Sequence, residues 1–344
     1  MSALNETDAP PSRFLSASIT SPIPYLDPFT MSENINRQFD DPYAVPEGHK
    51  SGFVAVIGRP NVGKSTLMNS YVGEKVAIVS SKPQTTRSRI LGILTQEDFQ
   101  VVFVDTPGIH RPLHRLGKIM VDTATDVIPD ADVVLFVVDV SVPPQKEDQM
   151  IADILEQRTD SPIILVLNKM DLLSPEDVNP HTESYWELAP FHDAWMMTVA
   201  TEGGNLGKLL EEIVTRLPEG PRYYPKEYIT DQTEREIVAE LIREQILRHT
   251  YYEVPHSVAV AVEEFKERDQ NVTYIAASVF VEKESQKGII IGRRGRMIRQ
   301  IGSDARQAIE RLVGGSVYLD LWVKVRKGWR EDERELRRLG FESS

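Results

Sequence analysis

Nine consecutive residues, Gly58-Arg59-Pro60-Asn61-Val62-Gly63-Lys64-Ser65-Thr66, constrain this chain more than any other stretch. Their Gly-x4-Gly-Lys-Ser spacing makes a loop whose glycines turn successive backbone N–H groups inward, where they cradle phosphate oxygens. The flanks are those such a loop requires. The apolar run Gly52 to Ile57 reads as a buried strand before it, and Thr66 to Val72 has helical spacing behind it. A helix N-terminus adds partial positive charge at the same point. Lys64 is expected to reach the outer phosphates and the Ser65 hydroxyl to ligate Mg²⁺. A chain built around this unit binds a nucleotide.

At 344 residues, with 41% apolar and 26% charged side chains, the chain has the length and composition of two soluble domains. It has no cysteine, which excludes disulfides and thiolate metal sites, and its seven histidines are scattered. No signal peptide is visible, and no apolar run approaches the roughly 18 residues that span a bilayer, so the cytoplasm is the expected compartment. The net charge of −13 argues against a polyanionic partner, but the average hides a basic stretch. Lys283 to Arg330 carries twelve Lys/Arg against four Asp/Glu, an electrostatic footprint suited to nucleic acid.

Residues 1–47 hold seven prolines, seven acidic and two basic residues without periodicity and are expected to be disordered. Met31 within them is a candidate alternative start. From 48 to 218 apolar strands alternate with amphipathic helices, the pattern of an α/β domain with a mostly parallel sheet covered on both faces. Expected strands are Phe53–Ile57, Ile90–Thr95, Val101–Asp105, Val133–Val138, Ile163–Leu167 and Trp195–Val199, with helices at Leu113–Val127, Lys146–Glu156 and Leu206–Arg216. Residues 219–230 form a linker with a hinge at Gly220. Residues 231–344 read as an α+β domain, with a helix at Glu234–His249 and strands at Ser257–Phe265 and Thr273–Val281. A helical pair at Gly288–Val313, a strand at Val317–Val325 and a charged C-terminal helix complete it.

Asn168-Lys169-Met170-Asp171 follows the fifth of these strands. A carboxylate there accepts two parallel N–H bonds from guanine, and adenine has no such pair. Asn168 would contact the base and tie loops together, and the Lys169 stem would cover the ring. Asp105-Thr106-Pro107-Gly108 closes another strand. Asp105 suits a water-mediated Mg²⁺ contact, and the Gly108 N–H suits the γ-phosphate and could sense hydrolysis. In Pro83-Gln84-Thr85-Thr86-Arg87 a threonine would complete the Mg²⁺ shell; Thr86 is favoured, with Thr85 left open. The second domain carries Gly292-Arg293-Arg294-Gly295. Gly-x-x-Gly between two helices clamps about four unpaired nucleotides in KH domains, and Arg296 and Arg299 extend its positive charge. Arg306, Lys324, Arg326 and Lys327 are weaker candidates, several of them within reach of Glu310 or Asp320. Trp322 and Trp329 could stack bases, although the alternation around Trp322 favours core packing.

Together these motifs resemble the translation-factor-like branch of P-loop GTPases and, within it, the Era family. The resemblance rests on Gly58–Thr66, Lys82–Arg89 and Asp105–Gly108, and continues through Tyr228-Ile229-Thr230-Asp231, Gly292–Gly295 and Leu321–Val325. It implies a GTPase domain followed by a type II KH domain, GTP hydrolysis to GDP, and a monomer. It further implies binding to the 3′ end of small-subunit ribosomal RNA, a role in assembly of that subunit, and loose association with the inner face of the membrane. Where the family's guanine loop reads Ser-Ala, this chain has Val199-Ala200. The Ala200 N–H can still meet guanine O6, but the loop, lacking the hydroxyl, is expected to be less rigid. Ile109 stands where Ras-like enzymes carry a glutamine that orients water. In related GTPases with an apolar residue there, an asparagine at the position of Asn61 helps hold K⁺ against the phosphates. Two rival readings are a signalling GTPase whose C-terminal domain binds protein, and a P-loop ATPase or kinase.

Overall fold

The run Lys50–Ile57 (β1) is buried on both sides, with Val54, Ala55, Val56 and Ile57 fully enclosed. Only the interior of a sheet covered on both faces gives consecutive strand residues that environment. The computed structural model describes residues 45–80, 82, 84–268 and 271–341. Residues 1–44, including Met31, lie outside them, as does Pro83. After β1 come Lys64–Val72 (α1), Ile90–Thr95 (β2), Phe99–Asp105 (β3), Arg115–Asp126 (α2), Val133–Asp139 (β4) and Lys146–Arg158 (α3). Ile163–Asn168 (β5), Val178–Leu188 (α4), Ala194–Thr198 (β6) and Leu206–Arg216 (α5) complete the first domain. The sheet order is β2-β3-β1-β4-β5-β6, with β2 antiparallel to β3 and the other pairs parallel. The C-terminal ends of β1, β3 and β5 therefore open on one edge, where ligands of such sheets bind.

The second domain runs Glu234–His249 (α6), Val254–Ser257 (α7), Ala259–Arg268 (β7), Val272–Val281 (β8), Glu284–Ile291 (α8), Arg296–Val313 (α9), Ser316–Val325 (β9) and Glu333–Arg338 (α10). Strand β8 is central, antiparallel to β7 and parallel to β9. Helix α6 starts at a capping box in which the Thr233 hydroxyl and the Glu236 carboxylate satisfy each other's backbone N–H. One face of this sheet packs Ile275, Ala277, Val279 and Val281 against Ile301, Ala305 and Ile309 of α9.

Two expectations change. Gly220 is fixed: its N–H donates to the His49 carbonyl at 2.9 Å, and Ser51 Oγ donates to the Pro221 carbonyl at 2.6 Å. The chain then runs along the large sheet, with Gln100 bonding Tyr223 and Tyr224 and the Ile93 N–H reaching the Ile229 carbonyl. Gly220 is thus a strap point rather than a pivot. Trp322 is the second change. It lies on the outer face of β9 and is 58% exposed, whereas Trp329 is fully buried with its indole N–H on the Ser257 carbonyl.

Candidate functional site

The phosphate loop folds as its glycines require. Gly63 sits at φ 105°, and a Cβ there would lie 2.3 Å from the Asn168 amide nitrogen. Gly108 approaches Pro60 so closely that a Cβ would lie 2.5 Å from its backbone nitrogen. Both loops therefore need hydrogen at these positions. A cavity is lined by Pro60, Asn61, Gly63, Lys64, Ser65, Thr66, Thr86, Gly108, Asn168, Lys169, Asp171 and Ala200, so residues from five separated runs converge on it. Of the others expected at the nucleotide, Gly58 and Arg59 are backbone acceptors for the Lys64 ammonium, at 2.9 and 3.0 Å. Val62, Thr106 and Pro107 are buried supports, with the Thr106 hydroxyl donating to the Val56 carbonyl. Burial pushes the Lys64 amine down to about 8, against the opposing pull of Asp105.

Ser65 Oγ lies 2.5 Å from Asp105 Oδ2 and 2.8 Å from Thr86 Oγ1, and Thr86 Oγ1 lies 3.3 Å from the same carboxylate oxygen. Thr85 turns away, its hydroxyl donating to the Lys82 carbonyl at 2.7 Å. The structure therefore brings Thr86, not Thr85, to the cluster. Burial pushes the Asp105 carboxyl up to about 6, while Lys64, Ser65 and Thr86 hold it down. Its Oδ1 is buried without a partner. Ser65 Oγ, Thr86 Oγ1 and Asp105 Oδ2 form a cluster of hard oxygens, and Asp105 adds a second, unpartnered oxygen; the set fits a small divalent cation that keeps some of its water.

At the base-binding end, Asn168 Nδ2 donates to the Val62 carbonyl at 2.8 Å and so ties two loops together. Its Oδ1 accepts from Thr198 Oγ1 and from the Ala200 N–H, each at 3.1 Å. The Ala200 N–H thus already has an acceptor, and a guanine O6 would have to share that donor with Asn168 Oδ1. Nor is the loop slack for want of a hydroxyl at Val199. Val199 pairs with Gly204 through reciprocal 3.1 Å backbone bonds, and Asn205 Nδ2 reaches the Met197 carbonyl. Lys169 bonds Asp139 at 2.6 Å, which stretches its stem beside the site. Burial pushes the Asp139 carboxyl up, but the bonds from Lys169 and Ser141 outweigh it and hold it below the usual range. Asp171 is exposed on the short turn Met170–Leu172 and faces the cavity.

Around Ile109, already singled out in the sequence, several further residues escaped the sequence reading. Ile109 packs wholly into the apolar cluster with Ala55 and Ile57. The neighbouring His110 bridges the two loops that face the phosphate end: one ring nitrogen lies 2.8 Å from the Gly108 carbonyl, the other 2.8 Å from the Gln84 amide. Arg87 is buried, with its guanidinium donating to the carbonyls of Val258 at 2.6 Å and Pro255 at 3.0 Å in the second domain. Burial, then the nearby Arg243, push its pKa down to about 9, which leaves it charged at neutral pH. Arg243 of α6 in turn donates to the Thr85 carbonyl. Glu244, fully buried on the same helix, holds Lys75 at 2.6 Å. The two residues flanking Thr86 are thus held by the second domain.

In that domain Gly292, Arg294 and Gly295 all have positive φ, at 69°, 54° and 71°. The turn separates α8 from α9 and exposes Arg293, Arg294 and Arg296. Arg299 is also exposed, but its guanidinium donates to the Arg294 and Gly295 carbonyls at 2.9 and 3.2 Å, bracing the loop from behind. Of the weaker candidates, Arg306 pairs with Glu310, Lys324 with Glu263 and Arg326 with Glu335.

A family model described as 50S ribosome-binding GTPase matches residues 53–169, and a KH domain model matches residues 253–330. Fold and site therefore define a P-loop GTPase joined to a KH domain. Curated relatives span both parts. The GTPase Era of Alkaliphilus oremlandii is 52% identical over 294 residues, 85% of this chain and 99% of that protein. The GTPase Era of Leuconostoc citreum is 48% identical over 292 residues, 85% and 96%. A crystal structure of Era in complex with MgGDPNP and nucleotides 1506–1542 of 16S ribosomal RNA matches with a TM-score of 0.82 at 38% identity, covering 85% of this chain and 99% of that one. A single-residue variant of Aquifex aeolicus Era, bound to GDP.AlF4⁻, matches at 0.81 and 37%, with the same coverage. The chain belongs to the Era family of GTPases. Among the described residues no helix is long and apolar enough to cross a membrane.

Proposed function

We propose that this chain is a cytoplasmic GTP-hydrolysing switch whose KH domain holds the 3′ end of small-subunit ribosomal RNA during maturation of that subunit. The observation that carries the switch is the joint at Thr86: the hydroxyl belongs to the candidate cation cluster, while Thr85 and Arg87 on either side are bonded to the second domain. A nucleotide that draws Thr86 inward must pull on both contacts. The identity of the RNA is supported by the related Era complex, which covers both domains; the broader GTPase model, whose description names the large subunit, covers only the first. Neither rival reading has comparable support. Crosslinking in cells followed by sequencing of the bound RNA should return the 3′ end of 16S rRNA, and fragments without that enrichment would remove the assignment.

In this reading Asp171 selects guanine, Lys64 balances charge on the outer phosphates, and the Gly108 N–H meets the γ-phosphate. Ser65 and Thr86 would ligate Mg²⁺, with Asp105 acting through water, and the ion would supply charge neutralisation at the phosphates. Thr86→Ala should slow Mg²⁺-dependent hydrolysis by roughly tenfold or more, given the worth of a hydrogen bond or ligand to a charged group. Thr85→Ala should leave it nearly unchanged. Equal effects in a phosphate-release assay would refute the choice of Thr86.

With Ile109 committed to the core, the residue directly after Gly108 cannot align water. Asn61, exposed at the cavity mouth, would instead help hold K⁺, whose charge would act at the β–γ bridge. Hydrolysis should be faster in potassium than in sodium buffer, and Asn61→Ala should erase the difference. Equal rates for the wild-type chain in both salts would end this proposal.

Arg87→Ala would leave the Val258 and Pro255 carbonyls without their donor, at about 1–3 kcal/mol each. The two domains should then melt separately, at different temperatures, where the wild type melts as one. A single unchanged transition would show that the clasp does not couple them. Peripheral contact with the membrane rests on the family resemblance alone. Helix α9, with its clearly divided faces, already spends its apolar side on the sheet.

A further inference from the structure

The second domain's sheet has an outer face that is only partly covered. At one end Phe280 and Ala259 lie beneath Trp329 and Leu336, with Leu116 and Met120 of α2 in the same cluster. The rest is open. Strand β9 presents Tyr318 and Trp322 there, 61% and 58% exposed, while its alternate residues Leu319, Leu321 and Val323 pack inward. Tyr274 stands opposite Tyr318 on β8, the two rings stacked with centroids 5.8 Å apart and planes 23° from parallel. The Arg268 guanidinium lies 4.2 Å from the centre of the Tyr274 ring. Trp322 pairs across to Ser278, and its indole N–H donates to Asp320 at 3.2 Å. That bond satisfies the polar edge of the ring and leaves its π-face to the solvent.

We infer that this face stacks unpaired RNA bases on Trp322 and Tyr318, with Tyr274 backing the Tyr318 ring, as a second RNA surface beside the Gly292–Gly295 clamp. The inference rests on the RNA-binding reading above. Exposed, oriented aromatic rings on a sheet are the platform on which single-stranded nucleic acid is held without base-specific hydrogen bonds. Position favours RNA over a protein partner. Strand β9 is shared: Leu321 on its inner side lies against α9 at Gly302, and α9 begins at the clamp, so a strand leaving the clamp has only to round the β9 edge. The carboxylates on the face each have a hydrogen-bond partner. Glu263 is held by Lys324 and Ser278, Glu264 by Lys266, and Asp320 by Trp322. Bases rather than phosphates are therefore what this surface recognises, with Arg268 adding a cation behind one ring. The clamp has the opposite character, with exposed arginines and no aromatic side chain in the Gly292–Gly295 loop.

The test uses the full chain and two single-stranded RNAs from the 3′ end of 16S rRNA, one of about four nucleotides, the reach of a KH clamp, and one of about twelve. In the Trp322→Ala/Tyr318→Ala double variant the short RNA should bind as in the wild type. The long RNA should bind roughly five- to a hundredfold more weakly for each base that loses its stack, with the slope of affinity against salt unchanged. The Trp322→Phe/Tyr318→Phe variant, which keeps two stacking rings, should recover most of the loss. Unchanged affinity for the long RNA would overturn the inference and leave the face to a protein partner. Equal weakening of both RNAs would also overturn it, since the loss would then lie in the clamp. A wild-type chain that bound neither RNA would instead defeat the RNA-binding reading itself.

Discussion

Replacing Asp171 by asparagine should convert the chain from a guanine to a xanthine nucleotide protein. The carboxylate, exposed at the cavity on the turn after β5, is proposed to accept two N–H bonds from guanine. Hydrogen bonds to a charged group contribute about 1.5–3 kcal/mol each. Losing both should therefore weaken GTP binding by roughly 10² to 10⁴. Asparagine offers a carbonyl acceptor and an amide N–H donor, a pattern that xanthine complements, so XTP should recover much of the lost affinity. The rest of the site should be unmoved, because Asn168, not Asp171, bonds Val62, Thr198 and Ala200. Competition titrations of GTP, XTP and ATP against a fluorescent nucleotide measure this directly. If GTP affinity survived the change, the guanine assignment would fall and an ATP-using protein would return to consideration.

Reversing Arg293 and Arg294 to glutamate should cost the chain its RNA. Both are exposed on a loop whose backbone lies at positive φ. Phosphates can approach such a main chain closely, and the two guanidiniums would neutralise them. Each phosphate contact to a single strand contributes about 0.7 to the log–log slope of affinity against salt. Loss of two should lower that slope by about 1.4 and weaken binding by at least roughly tenfold at moderate salt. The chain should still fold, since neither side chain belongs to the core. Arg299 should behave differently. Its guanidinium braces the Arg294 and Gly295 carbonyls, so its loss should disturb loop geometry more than phosphate count. Filter retention at several salt concentrations separates the cases, and retention indifferent to the double reversal would favour a C-terminal domain that binds protein.

The nucleotide site was legible because its residues act where they stand in sequence. Glycine spacing, strand endings and the Asn168–Asp171 run each carry their chemistry locally, and the fold only had to bring the runs to one sheet edge. Other features depend on tertiary contacts. Two adjacent threonines present the same signal, and only the path of the chain points Thr86 at Asp105 while Thr85 bonds Lys82. In β9 the alternation marks two faces without saying which is inside. Asp320 and Lys324 share the parity of Trp322, and that charge pattern was the available sign that the tryptophan faces out. Arg87, Arg243 and Glu244 are buried charged groups bonded across a domain boundary, and no periodicity predicts such partners. Helix α4 is absent from the expected elements, and Pro180 in its first turn is a sequence signal that weighs against a helix there. Proline is tolerated at that end of a helix, where its missing N–H has no intrahelical acceptor.

On the reading proposed above, the nucleotide controls the grip on RNA through the contacts flanking Thr86. This control is read from the affinity of the full chain for the 3′ end of 16S rRNA, measured with GDP and with a non-hydrolysable GTP analogue. The wild-type chain should bind the RNA at least roughly fivefold differently in the two states, a coupling of about 1 kcal/mol or more, and Arg87→Ala should shrink that ratio toward one. Equal affinities in the two nucleotide states, with both nucleotides shown to be bound, would contradict it.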